Sequence, residues 1–408
     1  MTTDNLSTYG PIAASRPNDH ATAEAWVDWY WLSFLPRWIE RASDPDGFGF
    51  FDELDVAGEP AKTGRRTVLA QARLLFTFSH LALLSEAPIF REAARIARDA
   101  LPAFRKGAGL YCRARASDKS ATDDPEDDLV KSYDQSFVIL GLSTWGRLHP
   151  DEDVTAELEA CWSAVETTLR DPATGLMLEH DGLVDPAETS APYRAQNPHM
   201  HLYEAALQAF EMTGNSIWME RAATMRAKGL EYFFDTESGT IMEFIAPDLS
   251  LLPGQEGQRR EIGHQCEWAW LLMREADLGG DVSVRDVATR LLDFADSIGF
   301  ARTGAMQGAA FDAVSADAQW REEGFLLWPQ TEAIKVYAIR ADEADFAERG
   351  RDLALLVFQK YFSGYAAFAN QLNAEGEATW PDALSRLHYH LVLALTEGAR
   401  KGLWRFPE

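Results

Sequence analysis

Apolar residues recur at helical spacing along almost the whole chain, and they do so in paired stretches. The first covers residues 21–42. Then come 67–85 with 88–104, 129–148 with 151–170, 198–212 with 216–234, 262–276 with 282–298, and 318–340 with 343–362; 381–401 closes the series. Twelve helices are predicted, the first pairing with the second or with the last. Glycine- and aromatic-rich stretches between pairs, such as 47–51, 109–112, 175–178 and 239–242, read as hairpins at a rim. The acidic run 117–128 reads as a mobile loop. No linker divides the chain, so 1–408 is expected to form one domain, with 1–20 as a flexible arm.

A series of helix pairs either closes into a toroid or stays open as a solenoid. One spacing favours closure. Arg73, Gln135, His201, Glu267, Glu332 and His390 are polar residues stranded in apolar helices, at steps of 62, 66, 66, 65 and 58. Six inner helices in a ring would bring them to one central cavity, whereas a solenoid would spread them along a groove. The predicted architecture is all-α, an (α/α)6 barrel of six inner and six outer helices with short hairpins at the rim.

Residues 196–204 open one inner helix with an unusual density of polar groups. Asn197 before Pro198 reads as an N-cap followed by a proline that loses no backbone donor. Positions three or four apart share a helix face, so Asn197, His201 and Glu204 align, while His199 and His201 diverge. No histidines or cysteines show the short spacing of a metal site, and no metal or other cofactor is predicted. The dispersed Cys112, Cys161 and Cys266 give no disulfide framework and fit a reducing cytoplasm. A net charge of −26 argues against nucleic acid and anionic membranes, and no apolar stretch is long enough to span a bilayer. A neutral ligand is the simplest expectation, unless a local basic pocket overrides that field.

The stretches Asn197-Pro-His-Met-His-Leu-Tyr-Glu-Ala205, Gly263-His-Gln-Cys-Glu-Trp-Ala-Trp-Leu-Leu272 and Trp328-Pro-Gln-Thr-Glu-Ala333, with Gln71-Ala-Arg73 and Tyr389-His390, form an ordered set. They resemble the motifs of the N-acylglucosamine 2-epimerase superfamily. The resemblance implies an (α/α)6 barrel and a sugar isomerase or 2-epimerase that needs no metal or redox cofactor. Cellobiose 2-epimerases look like Trp-Lys-x-Pro-Tyr-His-Asn near the last histidine. Residues 384–391 instead read Leu-Ser-Arg-Leu-His-Tyr-His-Leu, which is closer to the D-mannose isomerase branch. The expected partner is a monosaccharide, D-mannose or D-fructose, with D-lyxose and D-xylulose as a related pair. The protein is expected as a monomer or homodimer, and 2-epimerisation of cellobiose, glucose or N-acylglucosamine is the alternative.

Interconverting an aldose and a ketose requires moving a weakly acidic proton between neighbouring carbons. Histidine starts with a pKa suited to that work, and the enediolate oxygen needs fixed donors or positive charge. His264, with Glu267 on its face to orient it, and His390 are the expected acid–base pair; spacing does not choose between His388 and His390, and the resemblance favours His390, which turns His388 to the outer layer. Arg73, Asn197, His201, Glu204, Glu267, Trp328 and Glu332 are the expected substrate-binding residues. A glycosidase would instead draw an opposed carboxylate pair from Glu204, Glu267 and Glu332. A helical-repeat binding protein would bring none of these residues together.

Overall fold

The computed structural model describes residues 15–406 apart from 62, 344 and 363–366, so most of the expected arm lies outside the described residues. The chain begins with α1 (Ala23–Trp29) and α2 (Leu35–Ala42), joined by a π-helical turn, Tyr30–Phe34. Helix pairs follow: α3 (Val68–Leu84) with α4 (Pro88–Ala100), α5 (Ser132–Leu148) with α6 (Thr155–Thr168), and α7 (Asn197–Thr213) with α8 (Ser216–Phe233). After the short α9 (Gly254–Gln258) come α10 (Ile262–Asp277) with α11 (Val284–Ile298), α12 (Leu327–Ile339) with α13 (Phe346–Tyr361), and α14 (His388–Arg400). None of these helices is long and apolar enough to cross a membrane.

The ring closes. α3, α5, α7, α10, α12 and α14 pack in that order, and α14 returns to α3, which ends the solenoid reading. These inner helices are buried nearly all round; α3 encloses Gln71, Arg73 and Thr77 along with its leucines. The outer helices bury one stripe, as amphipathic helices do, and α4 buries only Phe90, Ala93, Ala94, Ala97 and Ala100.

Short antiparallel pairings repeat around the rim and identify the twelfth partner. Residues just before an inner helix pair with residues just after its own outer helix: Arg65–Thr67 with Ala114–Ala116, Arg194–Ala195 with Phe244–Ile245, and Arg259–Glu261 with Ala313–Ser315. Phe325–Leu326 pairs with Gln371–Leu372, and a single bridge joins Lys131 to His180. Ala383–Leu384, before α14, pairs with Glu53–Leu54, which follows α2. The continuous α1–α2 helix is therefore the outer partner of α14, and the first and last segments of the chain complete one repeat.

A second repeat explains the polar spacing. The side-chain amide of Gln71 bonds both backbone groups of Phe50, and Gln135, Gln265 and Gln330 do the same for Tyr111, Ile241 and Ala310. His199 accepts from the Met177 amide at 3.0 Å. His388 holds the matching place in α14, where Nδ1 meets the Tyr30 hydroxyl at 2.8 Å. The other five tie an inner helix to the segment after the previous outer helix, whereas His388 ties α14 to its own outer helix. A second, inward series lies two residues further on: Arg73, Phe137, His201, Glu267, Glu332 and His390. Gln135 thus belongs to the ties, and α5 presents Phe137 where a polar residue was expected.

Three other expectations are corrected. α12 and α14 begin later than predicted, because Phe325–Leu326 and Ala383–Leu384 are extended and paired. Asn197 is the first residue of α7 and Gln196 precedes it as the cap position, with no side-chain cap bond. The acidic run is anchored rather than loose: Arg65 pairs with the buried Asp127, and Arg113 and Arg115 meet Glu126 and Asp128 at 3.2 Å.

Candidate active site

A cavity of ≈630 Å³ opens near the N-terminal ends of the inner helices, within the size range of small-molecule sites. Arg73, Asn197, His201, His264, Glu267, Trp328 and His390 all line it. Glu204 and Glu332 do not; they stand behind His201 and His390 as hydrogen-bond partners, so their expected contact with substrate gives way to a supporting position.

His264 sits in the first turn of α10, fixed by carboxylates from two other segments. Its Nδ1 lies 2.6 Å from Glu243 Oε2 and 3.1 Å from Glu261 Oε2. Burial opposes the imidazolium, but Glu243 and Glu261 outweigh it and push the pKa up to about 10. Glu243 is itself held by the Glu261 backbone amide at 3.0 Å and by Gln196 Nε2 at 3.2 Å. Glu267, expected to orient His264, makes no such bond. Its two carboxylate oxygens are buried and unpartnered among the described residues, as are Asn197 Oδ1 and Arg73 Nε. Buried polar atoms left open at a cavity are what hydroxyl groups of a ligand would satisfy.

His390 has the opposite bias. Nδ1 lies 2.8 Å from Glu332 Oε1 and Nε2 lies 3.4 Å from Arg73 Nη1. A guanidinium only donates, so Nε2 is the acceptor and Nδ1 carries the hydrogen toward Glu332. Burial, then the charges of Arg73 and Lys335, hold the His390 pKa well below the usual value. Lys335 Nζ, wholly buried, lies 2.5 Å from the second oxygen of Glu332 and above the Trp270 ring.

His201 Nδ1 is 3.1 Å from Glu204 Oε2, and Glu204 also accepts from the Tyr389 hydroxyl. Arg73 donates to the Tyr133 hydroxyl at 2.6 Å and lies over the Phe137 ring. The Trp328 ring centroid is 4.9 Å from that of His264 and 5.9 Å from that of His390, so the indole neighbours both histidines. Gly263 makes room for it, since a Cβ there would come within 2.2 Å of the ring. His199 and His388 are driven down to about 4 and about 3, chiefly by burial, and belong to the structural ties.

Glu243, Glu261, Lys335, Tyr133 and Arg386 were not singled out as site residues. Glu243 and Glu261 are rim residues, from the segment after the 239–242 hairpin and the strand before α10, and no helical periodicity marks them. Three sets of donor atoms lie within 4.8 Å: His201, Glu204 and Glu267; Glu243, Glu261 and His264; Glu267, Glu332 and His390. Spacing along the chain could not show these cation-sized groupings, because most of their members come from different elements.

A closed ring of helix pairs surrounds a cavity lined by His201, His264 and His390 together with buried carboxylates, the layout of a helical-barrel enzyme. The family model for N-acylglucosamine 2-epimerase (GlcNAc 2-epimerase) matches residues 49–394, and the chain belongs to that family of sugar isomerases and epimerases. A mannose-6-phosphate isomerase from Rhizobium meliloti (strain 1021) is 28% identical over 93% of this chain and 97% of its own. A D-mannose isomerase from Marinomonas mediterranea is 25% identical over 59% of this chain and 64% of its own. Among solved structures, a D-mannose isomerase superposes with a TM-score of 0.78 at 19% identity, covering 95% of this chain and all of that one (100%). Cellobiose 2-epimerase from Bacillus thermoamylovorans B4167 does so with 0.79 at 14%, covering 92% and 98%. Both likenesses show the (α/α)6 fold.

Proposed function

We propose that the cavity interconverts D-mannose and D-fructose through a cis-enediolate, without a metal or redox cofactor. The reading rests on the opposed biases of two histidines that neighbour one indole: His264 is held protonated and His390 neutral. Pairs of titratable groups pushed apart in this way take acid and base roles. In the open-chain sugar, His390 Nε2 removes the C2 proton and returns it to C1. The His264 imidazolium protonates O1, and the resulting imidazole takes the proton from O2. Arg73 donates to the developing oxyanion. Glu267, Asn197 and His201 bind hydroxyl groups, and Trp328 offers a ring face.

The relatives named for mannose isomerisation support this choice of sugar. A glycosidase reading is weakened because Glu204 and Glu332 are engaged behind histidines, leaving only Glu267 of the three expected carboxylates open. A 2-epimerase would use the same enediolate and return the proton to the opposite face of C2.

The deciding experiment is NMR of the purified protein with D-mannose in D₂O, with a chelator present. Fructose signals support the proposal. Glucose as the only product, or conversion of cellobiose with mannose untouched, moves the chain to the epimerase reading. Conversion that chelation abolishes assigns a cation to one of the three donor groupings.

A further inference from the structure

Most buried arginines in this protein meet a carboxylate. Arg66, Arg194 and Arg260 do so at 2.7, 2.9 and 3.2 Å, with Asp44, Asp171 and Asp235. Arg73, and the half-buried Arg386 at the same cavity, break the pattern. Arg73 is 2% exposed, and among the described residues its guanidinium makes polar contact with Tyr133 and His390 alone. Arg386, in the 3-10 turn Ser385–Leu387 before α14, lines the cavity and makes no hydrogen bond or ion pair among the described residues. Asp52 and Asp134, whose charges act on it, form no ion pair with it. Asp52 is taken up by the Thr67 amide at 3.1 Å and the Thr67 hydroxyl, and burial drives Asp134 up to about 6.

Burial, then repulsion from Arg73, works against the charge on Arg386. Two guanidiniums at one cavity, neither paired with a carboxylate, leave donors open to an anionic ligand. Lys131, just before α5, also lines the cavity, and its ammonium makes no hydrogen bond or ion pair among the described residues. The three cations come from neighbouring parts of the ring, since the turn carrying Arg386 packs on α3 and α3 packs on α5. The carboxylates that touch His264, Glu243 and Glu261, belong to the other side, around α10. Glu179, also at the cavity, feels Lys131 as its one offsetting charge. The cations thus gather on one side of the cavity, with Glu179 among them, although the whole chain carries a net charge of −26.

We propose that Arg386, with Lys131, forms a phosphate subsite, so that the preferred substrate is an aldose carrying a terminal phosphate monoester. The proposal rests on the isomerase reading of the same cavity. The planar guanidinium would bind two phosphate oxygens at once. The carbonyl end of the sugar then lies between His264 and His390, with Arg73 on its oxygen.

The test is the ratio of kcat/KM for D-mannose 6-phosphate to that for D-mannose. The wild type is expected to favour the phosphorylated sugar by about tenfold or more, and Arg386→Gln to lower the ratio by about 10- to 100-fold, the range of charged hydrogen bonds. Arg386→Lys, which keeps the charge and loses the fork, is expected to fall between them. A wild-type ratio of one or less, or a ratio that Arg386→Gln leaves unchanged, overturns the subsite. If neither sugar reacts, the isomerase reading fails separately, and calorimetric titration with inorganic phosphate still decides. Binding that Arg386→Gln or Arg386→Lys weakens supports the subsite, and its absence in the wild type rejects it.

Discussion

Glu332 Oε1 lies 2.8 Å from His390 Nδ1, and Lys335 Nζ lies 2.5 Å from the other oxygen of the same carboxylate. The three residues form a buried chain in which a lysine compensates a carboxylate that orients a histidine. Glu204, Glu267 and Glu332 all feel the Lys335 charge. Removing it in Lys335→Met leaves carboxylates buried without a counter-charge. The expected loss of stability is about 3–5 kcal/mol, read from urea unfolding. A loss under about 1 kcal/mol would show that these carboxylates do not depend on that lysine.

Glu332→Gln keeps the shape and removes the acceptor charge behind His390. The Nδ1–H tautomer and the ring orientation are then less well held. The expected result is a fall in kcat of about 10²-fold or more with KM little changed, as for orienting carboxylates of catalytic histidines. An equal loss in binding alone would mean that Glu332 acts through the shape of the cavity.

His264→Ala and His390→Ala are each expected to reduce turnover by about 10²–10⁴-fold, the usual contribution of a general acid or base. Circular dichroism is expected to be unchanged. A variant retaining more than about a tenth of wild-type activity removes that residue from the mechanism.

The pH dependence has a definite sign. His264 has its folded pKa raised to about 10, so its contribution to stability is complete below the ordinary histidine value and is lost as pH rises through about 10. His390 is shifted the other way, so its contribution is complete above the ordinary value and is lost as pH falls below it. Activity that needs His264 charged and His390 neutral should decline on the alkaline side near pH 10 and hold well into mildly acid solution. Glu243→Gln removes the strongest attraction on His264 and should move the alkaline limb to lower pH. An unmoved limb would assign it to another group.

Gln265→Leu serves as a structural counterpart. Gln265 bonds the Ile241 amide at 2.8 Å and its carbonyl at 3.0 Å, so the substitution leaves two buried backbone groups unsatisfied. At about 1–3 kcal/mol each, the expected loss is about 2–6 kcal/mol of unfolding free energy. KM is expected to be preserved, because the tie does not face the cavity. A KM change without loss of stability would place Gln265 at the site.

The sequence alone determined the helix pairs, their number and the ring, because burial of an inner helix on all sides leaves an apolar record that periodicity reveals. It also made Arg73, His201, Glu267 and His390 legible, since a polar residue in such a helix is conspicuous. Spacing could not separate two polar series that run in parallel two residues apart. Gln135 and Phe137 show the consequence: the glutamine ties a hairpin and the phenylalanine packs inward against Arg73 and His201. Only the tertiary structure decided what surrounds each histidine. Glu243 and Glu261 reach His264 from the rim, and Glu332 and Lys335 reach His390 from another helix. A pKa depends on charges a few ångströms away in space, wherever they lie in the chain. The acid and base biases of two otherwise similar histidines were therefore fixed by folding.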